Sequence, residues 1–186
     1  MDVEEFSILS EFDPGVASRP ELEGAVGAFA ALRSFAAAGE LACLAAIDAL
    51  DDNGVPADAI ARVKTKCSSV AAKRAASTAM RLAEMPATSS ALRRGEITVE
   101  HANAAADAAE RVSPEEADAQ LGPDAGKRPA DLFARHAREW ASARESDEQK
   151  QDRYDRQVRA RRGWVKDRPG GTVGVYAEFD PIEGAH

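Results

Sequence analysis

Eight bases, Arg62, Lys64, Lys66, Lys73, Arg74, Arg81, Arg93 and Arg94, fall within residues 60 to 94, where Glu84 is the one acid. A local charge of +7 over 35 residues, inside a chain of net charge −8, asks for a polyanionic surface such as nucleic acid. The competing reading is that these bases neutralise acidic neighbours in the fold, because the flanking segments, 1–59 and 95–155, carry −10 and −7. A second basic group, Arg156, Arg159, Arg161, Arg162, Lys166 and Arg168, surrounds Trp164. Arg159 and Arg162 stand three apart on one helical face and could follow a phosphate backbone, or simply favour the negative end of a helix.

Other constellations offer less chemistry. His101-Ala102-Asn103 has only a superficial likeness to the histidine and metal ligands of an HNH nuclease, and His101 is expected to be a buried packing or hydrogen-bonding residue. His136, four residues before Trp140, reads as helix-face packing. Cys43 and Cys67 lack the spacing of a metal pair and are too few for a disulfide framework. Asp48, Asp51, Asp52 and Asn53 precede Gly54 as in a calcium loop, but the register fails at Ala49 and Ile60. No metal site and no cofactor are expected, and the acidic start Met1-Asp2-Val3-Glu4-Glu5 is unlike a secretory leader, so a cytoplasmic location is expected. The best apolar run, Ser34 to Ile47, is interrupted by Glu40, and no membrane partner is expected.

The elements that must position these residues are mainly helical. Forty alanines and only ten aromatics in 186 residues suit helices packed closely through small side chains and exclude a deep β-sandwich. Ser18-Arg19-Pro20 opens a helix of about 30 residues, with Leu22, Val26, Phe29, Leu32, Phe35, Leu41, Leu44 and Ile47 as its apolar stripe and an end at Asn53-Gly54. A short helix is expected over Ala57–Lys66, then a tight turn and a helix over Val70–Met85, capped by Ser68 or Ser69 and packing Ala72, Ala75, Ala76, Ala79, Leu82 and Ala83 inward. Pro86 separates this from a helix over Ala87–Arg94 closed by Gly95. Thr98 caps one running through Val112, and Ser113-Pro114-Glu115-Glu116 opens the next. Gly122-Pro123-Asp124-Ala125-Gly126 reads as a loop, and Pro129 to about Arg162 as one long helix.

The alternation Thr172-Val173-Gly174-Val175-Tyr176-Ala177-Glu178-Phe179, after Trp164-Val165 and the turn Arg168-Pro169-Gly170-Gly171, predicts a β-hairpin. Its apolar face is expected to lean on neighbouring copies, making the chain a homo-oligomer. The expectation is thus a multi-helix domain with a helix-turn-helix-like central pair and a short C-terminal hairpin. It divides into an extension over 1–19, a helical domain over 20–162 with its helix-turn-helix-like part at about 57–112, and the hairpin and a truncated end over 163–186.

The stretch Ala83-Glu84-Met85-Pro86-Ala87-Thr88-Ser89-Ser90-Ala91-Leu92-Arg93-Arg94-Gly95-Glu96-Ile97-Thr98-Val99-Glu100-His101-Ala102 resembles the core A-x-x-L-P-x-x-x-x-A-L-x-x-G-x-[IL]-[ST]-x-x-H-A of the domain of unknown function 222, or 13E12-repeat, family. That domain is the amino-terminal part of HNH endonuclease-like proteins of actinobacteria and their phages. The alanine-rich first helix and Phe179-Asp180-Pro181-Ile182-Glu183-Gly184-Ala185 extend the likeness from about Leu22 to His186. Met85 stands where the family has leucine, and the family's HNH module has no counterpart in these residues. The resemblance implies a non-catalytic targeting domain, with duplex DNA and an HNH nuclease module, in cis or in trans, as partners. The same block is more distantly similar to the helix-turn-helix region of chromosome-partitioning ParB proteins, which puts Val70–Met85 in the groove-reading position. A helical scaffold for self-association or protein binding is the alternative, and a remnant of a truncated or split endonuclease gene is a third reading.

Overall fold

The computed structural model describes residues 9–50, 54–159, 162–168 and 172–178, and these form two compact units, Met1–Arg144 and Glu145–His186. Unit one holds α1 (Arg19–Asp48), α2 (Ala57–Thr65), α3 (Ser69–Ala83), α4 (Pro86–Arg93), α5 (Val99–Ala109), α6 (Pro114–Ala125) and α7 (Ala130–Arg144). Unit two holds α8 (Asp147–Arg159), β1 (Arg162–Arg168) and β2 (Thr172–Glu178). The chain is mainly α, as its alanine content dictates.

Local chemistry sets the helix ends. Ser18 donates from its backbone N and from Oγ to the Glu21 carboxylate at 2.7 and 2.6 Å, and Pro20 lies in the first turn of α1. Ser68 Oγ accepts from Ala71 N, and Ser113 Oγ from Glu116 N, each at 3.1 Å, opening α3 and α6. Thr98 and His101 form a capping box in which the imidazole takes the place of the usual carboxylate at the start of α5. At the end of α4, Gly95 N donates to Leu92 O and Glu96 N to Ala91 O, both at 3.0 Å, with Gly95 at φ +75°. That is a Schellman closure, and it needs a residue at ease in the left-handed region.

The core of unit one is built from small residues. Ala38, Leu41 and Leu44 of α1, Ala72, Ala79 and Leu82 of α3, Leu92 of α4 and Ala102, Ala105 and Ala109 of α5 belong to one buried cluster with Leu121 of α6 and Phe133, Ala137 and Trp140 of α7, where α1 packs on α3 and α4, and α6 and α7 each pack on α5. Met85, at the α3–α4 junction, is fully buried.

Several elements depart from the expectation. The predicted 129–162 helix is broken, because Ser146 and Gln149 cap α8 reciprocally: Ser146 N donates to Gln149 Oε1 and Gln149 N to Ser146 Oγ. The boundary between units therefore lies at Glu145, not at 162. Residues 122 to 125 continue α6 through Pro123 instead of forming a loop. Leu121 and Ala125 are wholly buried there, and this packing outweighs the turn-forming composition. The helix from Thr98 stops at Ala109 rather than Val112, Ala83 is exposed, and α1 ends at Asp48; Asn53 lies outside the described residues. Taken whole, α1 is long and apolar enough to cross a membrane by length and composition, a property that the core helix of a soluble protein can share.

The hairpin is antiparallel, with Arg168 opposite Thr172 and Val165 opposite Val175. Val165, Val173 and Val175 share one face and are exposed. Phe179 lies outside the described residues.

Several carboxylates carry lowered pKa values with local causes: Glu21 from the Ser18 hydroxyl and backbone N, Glu96 from Arg94, Glu100 from the Thr98 hydroxyl, and Asp124 from Lys127. A carboxylate lowered by folding binds its proton less readily in the native state. Its stabilisation is present above the ordinary carboxylate range, about 4, and is lost as pH falls through the lowered value. Thermal melts followed by circular dichroism should give a midpoint nearly level from about pH 7 to 5 that falls progressively below about 4. A midpoint level down to about pH 2 contradicts this account.

Candidate nucleic-acid interface

α2 and α3 pack on each other and are joined by Lys66-Cys67-Ser68. Lys66 sits at φ 57°, ψ 25°, a left-handed conformation that closes α2 and turns the chain into α3. Cys67 packs against the core beneath this turn. Ala72, Thr78, Ala79 and Leu82 face inward, with Ala75 and Ala76 partly buried beside them. Val70, Lys73 and Met80 are left on the solvent face of α3, and Val70 is 79% exposed.

The eight bases of the central block divide by environment. Arg74 donates from Nη2 to Asp107 Oδ2 at 2.8 Å, Arg81 Nη2 lies 3.2 Å from Glu110, and Arg94 grips Glu96 with Nε and Nη2 at 2.6 and 2.8 Å. These three are held in ion pairs within the fold, which is the competing reading of the block. Asp107 and Glu110 lie on α5 and its C-cap, and α5 packs across α3, where Thr78 Oγ1 adds a hydrogen bond to Asn103 Oδ1 at 2.7 Å in the same seam. Glu96, two residues after Arg94, follows the Gly95 turn.

Arg62, Lys64, Lys66, Lys73 and Arg93 are exposed and form no ion pair among the described residues. Arg62, Lys64 and Lys66 lie on the last turn of α2 and its cap, and Lys73 on the first turns of α3. Arg93 lies at the far end of α4. Arg159 belongs to the second unit, where its Nε donates to the Asp155 carbonyl at 3.2 Å, and the Arg162 side chain is outside the described residues. Four of the ten expected contact residues are thus exposed and without an ion pair among the described residues, on the last turn of α2, its cap and the first turns of α3.

Beside this turn the charges are mixed. A cleft of about 600 Å³ between α3, α5 and α7 is lined by Arg74, Glu100, Asn103, Asp107, Asp131 and Arg138. A smaller one, about 250 Å³, carries Glu40 next to Arg74.

His101 is buried, and both ring nitrogens are engaged. Thr98 N donates to Nδ1 at 3.2 Å, so Nε2 carries the proton and donates to the Arg128 carbonyl at 2.8 Å. Its ring also rests near Phe133, with centroids 5.4 Å apart. His136 is half-buried on α7. Among the described residues no group of three or more His, Cys, Asp or Glu side chains gathers to hold a metal ion.

Sequence reasoning missed Asp118. Its buried carboxylate, on α6, accepts from Ala87 N and Thr88 N at 2.8 Å and from Thr88 Oγ1 at 2.7 Å. It caps α4 from 30 residues away, and no local pattern announces it.

No family model, no curated protein and no solved structure matches the chain.

Proposed function

We propose that the chain is a non-catalytic DNA-binding module that lays the α2–α3 turn on duplex DNA. The observation that carries this reading is that Arg62, Lys64, Lys66 and Lys73, on the last turn of α2, its cap and the first turns of α3, are exposed and without ion-pair partners among the described residues, beside the uncovered outer face of α3. Helix N-termini and clustered bases both favour phosphate.

The resemblance to the 13E12-repeat family fits the same division of labour. Within the block that carries the likeness, Pro86 opens α4, Gly95 closes it, Thr98 opens α5 and His101 completes that cap. These residues build the frame, and the bases ahead of them are free for a ligand. An HNH nuclease module in cis or in trans is the partner this reading implies, and a cytoplasmic location goes with it. A helical scaffold that touches no nucleic acid is favoured instead by the internal neutralisation of Arg74, Arg81 and Arg94.

Salt titration separates the two. Four phosphate contacts give a slope of about −3.6 in log K against log salt, so a fourfold rise in salt weakens binding roughly 150-fold. Replacing Lys66 by Gly and Lys73 by Ala together should flatten that slope by about two units. Glycine suits the left-handed backbone at 66, and the melting midpoint should not fall. Arg74→Ala, which removes a base already held by Asp107, should change binding far less. Fluorescence anisotropy with a labelled duplex reads all three. No binding at low salt, or binding indifferent to Lys66 and Lys73, leaves the scaffold reading in its place.

A further inference from the structure

The outer side of the N-terminal half of α1 is uncovered, while Ala25 on its other side is buried. At Gly95 an added Cβ would come within 2.6 Å of Ala31 Cβ, so α1 and the α4 turn touch tightly there. At Gly24 and Gly27, as at Gly39 further along, an added Cβ would meet nothing within 4 Å. The segment before Ala31 is nevertheless apolar. Leu22, Val26 and Phe29 are exposed, Val26 at 70%, and with exposed Arg33 they recur at intervals of four, three and four. That spacing sets them in one row along the helix, the seam by which two helices pair.

We propose that two copies of this chain pair through this row, with their α1 helices antiparallel about a two-fold axis passing between Val26 and Phe29. The charges define the direction. Glu21, bound to Ser18, and Glu23, in an exposed pair with Arg19 at 2.8 Å that a closer partner can replace, lie at the N-terminal end of the row, and Arg33, which forms no ion pair among the described residues, lies at the other. An antiparallel partner brings each Arg33 beside Glu23 of the other copy, sets Val26 against Phe29 twice, and covers Leu22 with the aliphatic stem of Arg33. A parallel pair would set like charges together. Such a surface is self-complementary, which is what an isologous contact requires.

A lipid bilayer is the other occupant that an apolar helix suggests. It is disfavoured because Arg33 and Glu40 would enter the hydrocarbon, and because Ala38, Leu41 and Leu44 are already committed to the core of unit one. The pairing does not depend on whether the chain binds DNA, and its test is carried out without nucleic acid.

Sedimentation of the full chain from about 1 to about 200 μM, a span that covers weak to moderate dimer affinities, should show the mass rising from 19.7 kDa towards twice that value. Val26→Glu, at a solvent-facing position, should keep the chain folded by circular dichroism and monomeric throughout. Arg33→Glu should weaken the dimer about tenfold, and adding Glu23→Arg to the same chain should recover most of that loss. Val173→Ser with Val175→Ser, on the hairpin, should leave the dimer unchanged. A monomer at every concentration overturns the proposal. So does a dimer insensitive to Val26→Glu, a dimer lost through the hairpin variant, a charge exchange that fails to rescue, or a monomer that sediments only with phosphatidylcholine–phosphatidylglycerol vesicles.

Discussion

Asp118→Ala should lower the stability of the helical unit by roughly 3 to 5 kcal/mol, among the largest effects available from a polar residue here. The carboxylate accepts three hydrogen bonds, from Ala87 N, Thr88 N and Thr88 Oγ1. Its N-cap counterpart on α4 itself is Met85, whose side chain supplies no cap. Thr88 is fully buried, so truncating Asp118 leaves an amide and a hydroxyl in the core with no acceptor, each costing about 1 to 3 kcal/mol. Asp118→Asn keeps an acceptor oxygen and should cost about 1 to 2 kcal/mol. Thr88→Val in the Asp118→Ala background removes one orphaned group and should return part of the loss. Urea unfolding monitored by circular dichroism measures all of these. Equal losses for the Ala and Asn variants would show that volume at 118, and not capping, carries the effect.

Gly95→Ala should destabilise by about 3 kcal/mol, well beyond the roughly 1 kcal/mol of an alanine placed in the left-handed region alone. The excess comes from position. The new methyl would meet Ala31 Cβ at 2.6 Å and the Ala31 backbone at 2.8 Å, and a helix backbone cannot yield without displacing α1 from α4. For a unit of this size the melting midpoint should drop by roughly 6 to 12 °C. Ala31→Gly combined with Gly95→Ala should recover only part, because the clash with the backbone of residue 31 persists. Full recovery would locate the strain in the side chain, and no recovery would locate it in the backbone angle.

These two positions divide what can be read locally from what cannot. Gly95 was legible as a helix stop, because glycine after a helical stretch satisfies the last carbonyls through its own backbone freedom. The same holds for Ser18, Ser68, Thr98 and Ser113, which act on amides within four residues, and for Pro86, whose fixed φ suits a first turn: each marks a helix end found in the fold. The alternation after Thr172 predicted a strand for a similar reason, since its period of two is a property of the strand itself. Mainly helical character followed from alanine content before any packing was known.

Which bases remain free was not a local matter. The charge count placed eight together between residues 60 and 94, yet Arg74 is held by Asp107, 33 residues on, and Arg81 by Glu110. Only the crossing of α5 over α3 brings those carboxylates within reach, and Coulomb pairing depends on distance in space, not along the chain. Asp118 is hidden in the same way, its three donors lying on a helix 30 residues earlier. The sequence by itself determined where the helices of unit one begin, the hairpin, and the segregation of charge. The tertiary structure alone decided that Gly122 to Ala125 stays helical, since burial of Leu121 and Ala125 outweighs the preference of Gly-Pro for a turn. It alone also decided which four cations are left unpaired at the α2–α3 turn, because the carboxylates that neutralise Arg74 and Arg81 arrive on a different helix.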